Sequence, residues 1–144
     1  MWLHSGRAIF PGSTIVARAG VVGRSIRAFA PAIVWAAAVW IIGGLEDTPS
    51  MPTGLGLDKL AHFGMYGVLG FLLARGWIAS GWRGAWLLPV AVALLLGIAD
   101  EQRQRTVPGR SADVLDWLAD VSGASAGVFI ALRMARRQRP DDRI

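Results

Sequence analysis

The sequence contains no cysteine, which excludes disulfide bonds, thiolate zinc sites and cysteine nucleophiles. Charge is scarce as well: only 17% of the residues are charged, against about 25% in typical soluble domains. Lysine is almost missing, since Lys59 is the only one and every other strongly basic side chain is an arginine. Hydrophobic residues make up 53% of the chain. This low charge and high hydrophobic content predict an integral membrane protein rather than a water-soluble one.

Several chemical signatures are also missing. The sequence has no phosphate-binding loop, no dinucleotide-binding glycine pattern and no HExxH zinc motif. The formal net charge is +5, which in a soluble protein would suggest nucleic acid. Here the arginines flank apolar runs, and the tryptophans fit interface anchors, so the pattern favours a membrane and predicts no nucleic-acid partner.

Four apolar segments are long enough, or nearly so, to cross a bilayer as helices, which takes about 17–25 residues. They are residues 28–45, 58–80, 85–99 and 117–134. Pro31 falls in the first turn of the first predicted span, where a missing N–H does little harm. The fold predicted is an all-α, integral membrane bundle of four transmembrane helices.

The arginines predict the orientation of this bundle. Residues 1–27 are predicted to be a cytoplasmic N-terminal tail and residues 135–144 a basic cytoplasmic C-terminal tail, on either side of a transmembrane domain at 28–134. Arg75 and Arg83 flank the connection between the second and third spans, on the same predicted side. The positive-inside rule makes that side cytoplasmic, so the polar segments 46–59 and 100–116 are expected to meet at the outer face.

Half of the acidic residues fall in the second of these polar segments or close to it. Asp58, His62 and Tyr66 recur every four residues, which places them on one helix face. A second stripe, on the fourth helix, has steps of three or four residues and consists of Asp113, Asp116, Asp120, Gly123 and Gly127. Its small-xxx-small end favours close helix packing, so the acids are expected to point into the bundle, towards His62 or Lys59.

The segment between these helices is predicted to be a loop that adds further polar groups. They are Asp100, Glu101, Gln104 and the turn Pro108-Gly109-Arg110. Proline followed by glycine is a turn signal. The turn is expected to bring Arg110 back over the acids, with Asp113 or Asp116 as a bidentate partner.

Together these residues resemble the pattern of the VanZ-like family of small membrane proteins, over about residues 30–132. The matching positions are Asp58, Lys59, His62, Phe63, Tyr66, Glu101, Gln104, Pro108, Gly109, Arg110, Asp113, Asp116, Gly123 and Gly127. Asp120 departs from the pattern, because family members often carry asparagine there. The resemblance implies a multi-pass protein of the bacterial plasma (inner) membrane and an association with low-level resistance to the glycopeptide teicoplanin.

Two classes of function remain open on these residues. In the first, the protein is an enzyme acting on a lipid-linked or peptidoglycan-related substrate. Its predicted catalytic residues are His62, Glu101, Asp113 and Asp116, and its predicted substrate-binding residues are Asp58, Lys59, Tyr66, Gln104, Arg110 and Asp120. In the second, the same charges form a stabilising network in a non-catalytic binding or structural module.

The expected partners are the lipid bilayer and a lipid-linked cell-wall precursor. No cofactor is assigned. A divalent metal ion, such as magnesium, manganese or zinc held by His62 and carboxylates, is an alternative that the sequence leaves open. The oligomeric state is not predicted.

Overall fold

The computed structural model describes residues 11–43, 56–82, 84, 86–106 and 114–138, and the regular structure of this part of the chain is entirely helical. Its four helices are α1 Pro11–Gly43, α2 Leu57–Ala79, α3 Leu87–Gln104 and α4 Val114–Arg137. The all-α prediction is confirmed. The bounds of α2 agree with the predicted 58–80, and Gly56, with a positive φ of 64°, directly precedes this helix.

The first helix is longer than the span predicted at 28–45. α1 begins at Pro11, so residues 11–27, which were expected to form a tail, belong to the same helix. Proline is tolerated at a first helical position because its missing N–H has no partner there. Pro31 consequently lies inside α1 rather than in its first turn.

The first part of the polar segment after the third span, residues 100–104, is helical, which corrects the predicted loop there. α3 does not end at Ala99 but continues to Gln104, so Asp100, Glu101 and Gln104 belong to its last turns. Glutamate, glutamine and arginine are good helix formers, and the first strong breaker is Pro108-Gly109. α4 likewise starts before the predicted residue 117, which puts Asp116 in its first turn.

The closest helix packing is between α2 and α4, where glycines replace side chains. A Cβ atom on Gly123 would collide with the backbone oxygen of Phe63, and one on Gly127 with that of Gly67. A Cβ atom on Gly70 would collide in the same way with the backbone of Ala124. The two backbones are therefore in direct contact, as small residues allow in membrane helix pairs.

Successive helices run in opposite directions, so the last turns of α1 and α3 lie beside the first turns of α2 and α4 at one end of the bundle. At one end, a Cβ atom on Gly43 would lie 2.8 Å from Arg103 Nη2, and the first turns of α2 and α4 are joined by an ion pair. At the other end, the rings of Phe29 and Trp82 pack with their centroids 5.5 Å apart. The polar starts of α2 and α4 and the polar end of α3 thus meet at one end, as predicted.

The exterior of the bundle is apolar, while its interior is small or acidic. Exposed large hydrophobic side chains occur on all four helices, for example Ile33, Leu60, Leu95 and Ile130. The fully buried side chains of the largest volume are Tyr66, Leu69 and Asp120. Two segments, 22–43 and Val114–Arg137, are long and apolar enough to cross a membrane. An apolar surface around a polar interior is the arrangement expected in lipid.

Candidate functional site at the acidic end of the bundle

The first turns of α2 carry three of the predicted residues. Asp58 lies in the first turn, where the positive end of the helix dipole favours a carboxylate. Lys59 Nζ lies 2.8 Å from Asp58 Oδ2. One turn further along, His62 is largely buried, with 13% of its side chain exposed. The helix thus directs a cation and an imidazole towards α4.

Two contacts join α2 to the acidic stripe of α4. Lys59 Nζ lies 2.6 Å from Asp116 Oδ1, and His62 Nδ1 lies 2.9 Å from Asp120 Oδ1. A carboxylate oxygen accepts, so Nδ1 of His62 carries the proton of this hydrogen bond. The predicted direction of the α4 acids, towards Lys59 and His62, is the one observed.

The last turns of α3 bring two more carboxylates into the same place. Asp100 and Glu101 are both buried, with 4% and 7% exposed. Arg103 Nη2 donates to Asp100 Oδ1 over 3.1 Å, and the Arg103 guanidinium lies 4.5 Å from the centre of the Trp40 ring. Asp100 therefore has a cation beside it, held in turn against the end of α1.

Glu101 has a different environment from Asp100. Within the part of the chain that the structure describes, neither Oε1 nor Oε2 of Glu101 has a hydrogen-bond partner, although both atoms are buried. One ligand atom from each of His62, Glu101 and Asp116 can be chosen so that all three lie within 4.8 Å of one another. A buried carboxylate without a partner is costly, and groups of this kind cluster at functional sites.

The pKa values of Asp58, at the start of α2, and Glu101, at the end of α3, are shifted in opposite directions. Both residues lie outside the apolar parts of these helices. The Lys59 ammonium beside Asp58 holds the pKa of that carboxyl below its usual value. Desolvation raises the pKa of Glu101, and the negative charge of Asp116 raises it further. Glu101 is thus the carboxyl of this pair that holds a proton more readily, which suits an acid or base.

The floor of the site is formed by Tyr66, Asp120 and Gly97. Tyr66 is 2% exposed and belongs to the buried core. A Cβ atom on Gly97 would lie 3.0 Å from Asp120 Oδ2 and 3.5 Å from Tyr66 Cε1. Gly97 therefore lets α3 approach the polar face of α4 and the ring of α2.

The structure brings together four of the predicted site residues, which are His62, Glu101, Asp116 and Asp120. Asp58, Lys59 and Tyr66 lie near His62 on α2. Asp113 and Arg110 lie outside the described residues, as does the side chain of Gln104, so their predicted roles stay predictions. Sequence reasoning missed Gly97 and the Arg103–Trp40 contact. A glycine inside an apolar helix signals close approach, but nothing in the sequence indicates what approaches it.

A helical bundle with an apolar exterior and buried ionisable side chains at one end defines a membrane protein with a polar intramembrane or interfacial site. Comparison with protein families agrees, because the VanZ/LLP1 family model matches residues 10–135. The chain therefore belongs to the VanZ/LLP1 family. No curated protein and no solved structure matched it.

Proposed function

We propose that the protein is a multi-pass protein of the bacterial plasma membrane that acts at its extracytoplasmic face on cell-envelope material, either lipid-linked or peptidoglycan-related. The observation that carries the proposal is Glu101. A buried carboxylate with neither oxygen paired, beside a histidine, suits proton transfer better than it suits stability. The association of the family with glycopeptide resistance points to the same compartment.

The site supports a division of roles among its residues. Glu101 is the proposed general acid or base, because it is the carboxyl with a raised pKa and no partner. Asp120 holds His62 through Nδ1, which leaves Nε2 to face a reacting group. Lys59 already contacts Asp58 and Asp116, so holding an anionic substrate group would fall chiefly to Arg110, with Lys59 as a second donor.

The depth of the site in the proposed bilayer follows from α3. Its apolar part, residues 87–99, spans about 20 Å at 1.5 Å per residue, less than the roughly 30 Å of a hydrocarbon core. Asp100 and Glu101 would consequently lie at the membrane boundary, directly after the apolar part of α3, rather than far above it. A substrate that reaches them is one whose head group lies at that boundary, as in a lipid-linked precursor.

A second function is favoured by a different observation, the two contacts that join α2 to α4. The Lys59–Asp116 and His62–Asp120 pairs cross between helices that already touch through their backbones. Such pairs would serve a non-catalytic module that presents a rigid surface to a binding partner. This alternative requires no reaction at Glu101.

The experiment compares envelope lipids and peptidoglycan precursors by mass spectrometry. The strains carry the deletion, the wild type, Glu101→Gln or Asp100→Asn, at matched membrane levels of protein. The control removes one negative charge from the adjacent position, outside the group formed by His62, Glu101 and Asp116. We expect a species that changes in the deletion and is restored by the wild type and by Asp100→Asn, but not by Glu101→Gln.

Full restoration by Glu101→Gln would contradict the enzyme proposal and favour the binding or structural module. The same conclusion would follow if no species differed between the deletion and the wild type. Failure of both variants alike would mean that charge in the last turn of α3, rather than the Glu101 carboxyl itself, is needed.

A further inference from the structure

We propose that His62, Glu101 and Asp116 form a binding site for one divalent transition-metal ion. The three side chains come from α2, α3 and α4, and one ligand atom from each can be chosen within 4.8 Å of the other two. Ligands around one metal at about 2.0–2.2 Å are separated by no more than about 4.4 Å, so small side-chain movements suffice to close the site. The inference does not depend on the envelope substrate proposed above.

The orientation of His62 is the one that metal sites use. Its Nδ1 is engaged with Asp120 Oδ1 at 2.9 Å, so the unprotonated nitrogen is Nε2, and its lone pair is available to a metal. A histidine ligand that donates its other N–H to a carboxylate is a recurrent arrangement, because the carboxylate fixes the ring and increases its basicity. Asp120, which is 2% exposed, holds this position without being a ligand itself.

Glu101 supplies the observation that separates a metal site from an ordinary acidic cluster. It is 7% exposed, and both of its oxygens are buried without a hydrogen-bond partner among the described residues. If the cluster were only a salt-bridge network, this carboxylate would be the group the network leaves unsatisfied. Coordination of a cation satisfies it, since an anionic oxygen that lacks a donor is a suitable metal ligand.

The described side chains at this end of the bundle carry more negative than positive charge, which favours a further cation. Among its described side chains, five carboxylates are buried or half-buried, and two permanently charged cations contact them. The carboxylates are those of Asp58, Asp100, Glu101, Asp116 and Asp120, and the cations are Lys59 and Arg103. Burying several uncompensated negative charges in a membrane protein is strongly unfavourable, and a divalent ion compensates two of them.

The ligand types indicate the metal. One imidazole and two carboxylates exclude a soft, thiolate-seeking ion and are less suited to Ca²⁺ or Mg²⁺, which prefer oxygen ligands only. Zn²⁺ and Mn²⁺ both accept mixed nitrogen and oxygen ligands. Three protein ligands leave coordination positions for water or substrate, as in catalytic rather than structural zinc sites.

The test uses the full-length protein, purified in detergent micelles with any affinity tag removed. Binding of Zn²⁺ and of Mn²⁺ is measured by titration calorimetry, and the bound ion is counted by mass spectrometry of the metal after gel filtration. We expect about one ion per chain in the wild type and in Asp100→Asn. Glu101→Gln keeps the side-chain volume and removes a ligand, so its Kd should rise at least about 10-fold.

Thermal stability distinguishes a metal-binding role of Glu101 from a purely structural one, because the two roles predict opposite effects of Glu101→Gln on the unfolding temperature. Without metal, Glu101→Gln should unfold at the same temperature as the wild type or higher, because it removes an unpaired buried charge. With Zn²⁺ the wild type and Asp100→Asn should gain stability and Glu101→Gln should not.

A spectroscopic measurement needs no variant. Electron spin echo spectra of the Mn²⁺-loaded wild type should contain the nitrogen coupling of a directly bound imidazole. Less than one tenth of an ion per wild-type chain would overturn the proposal. So would equal affinity in Glu101→Gln, or bound Mn²⁺ without nitrogen coupling, because each places the ion elsewhere or nowhere. None of these outcomes depends on whether an envelope substrate exists.

Discussion

At the scale of single residues, the acidic end contains carboxylates in unequal situations. Asp100 has the Arg103 guanidinium and Asp116 the Lys59 ammonium. Among the described residues, Asp120 has the imidazole of His62 on Oδ1, and its Oδ2 has no hydrogen-bond partner. Like Glu101, Asp120 therefore has no permanent cation beside it among the described side chains, although its hydrogen bond to His62 is well made.

This difference leads to a prediction for Asp120. Asp120→Asn retains an oxygen that accepts from His62 Nδ1 and removes a buried charge, so its melting temperature in detergent should equal or exceed that of the wild type. Asp120→Ala leaves the histidine N–H unpaired and should cost about 1–3 kcal/mol. Thermal unfolding followed by circular dichroism measures both. If asparagine destabilises the protein as much as alanine, the charge itself is required.

Single residues were also where the sequence was most informative. Spacing by fours on α2, and by threes and fours on α4, was enough to predict that the acids face Lys59 and His62, because helix periodicity fixes which residues share a face. The partner of each acid could not be predicted. Asp116 pairs with Lys59, while its predicted contact with Arg110 involves a residue outside the described part of the chain and stays a prediction. Pairing depends on helix rotation and depth, which periodicity leaves undetermined.

At the scale of helices, α2 and α4 form the central pair, and their glycines set its geometry. Gly67 and Gly70 on α2 oppose Ala124 and Gly127 on α4, with backbone against backbone. The sequence pattern of Gly123 and Gly127 predicted such a contact. Its position matters for the site, because the first turns of the same two helices carry the ion pairs.

A matched pair of substitutions tests this contact. Gly127→Ala would push a Cβ atom into the backbone of Gly67, which cannot rotate away. It should therefore destabilise the protein by at least about 1–3 kcal/mol and reduce the amount in the membrane. Gly64→Ala introduces the same methyl group on α2 where nothing lies within 4 Å. It should be neutral or stabilising by up to about 1 kcal/mol, because alanine favours a helix.

Thermal unfolding in detergent compares the two variants directly. A similar loss of stability in Gly64→Ala and Gly127→Ala would mean that glycine matters here for flexibility and not for close approach.

Helix ends were the least predictable feature of the elements. The third helix was predicted to stop at Ala99 because hydrophobicity stops there, yet α3 continues to Gln104. Backbone hydrogen bonding does not depend on side-chain polarity, and the residues that follow are good helix formers. The first part of the predicted loop is therefore the end of α3, which carries Glu101. As a result Glu101 is buried rather than solvated.

At the scale of the whole molecule, the bundle has an acidic end and a basic end. The acidic end holds the site, and the described arginines of the other end include Arg27, Arg75, Arg133 and Arg136. For a bundle polarised in this way, the positive-inside rule predicts an orientation with the arginine-rich end in the cytoplasm.

The absence of cysteine from the sequence makes this orientation simple to test. Leu57→Cys places a thiol at the acidic end, where Leu57 is 43% exposed, and Gln138→Cys places one at the basic end, on an exposed position. A membrane-impermeant maleimide should label Leu57→Cys in intact spheroplasts and label Gln138→Cys only after lysis. The reverse pattern would put the site in the cytoplasm. Labelling of both in intact spheroplasts would exclude an odd number of spans between the two positions.

The backbone contact between α2 and α4 has a consequence for how the site opens. No side chain lies between Gly67 and Gly127, so no rotamer change can lengthen or shorten that contact. The backbone segments that carry Lys59 and His62 on α2 and the acids on α4 are therefore held at a fixed separation. Any widening of the site at the level of the backbone is expected to come from α3, which carries Glu101. Access to the site is then expected to involve a hinge motion of α3 against the rigid pair of α2 and α4. The glycine pattern thus determines which helix is able to move.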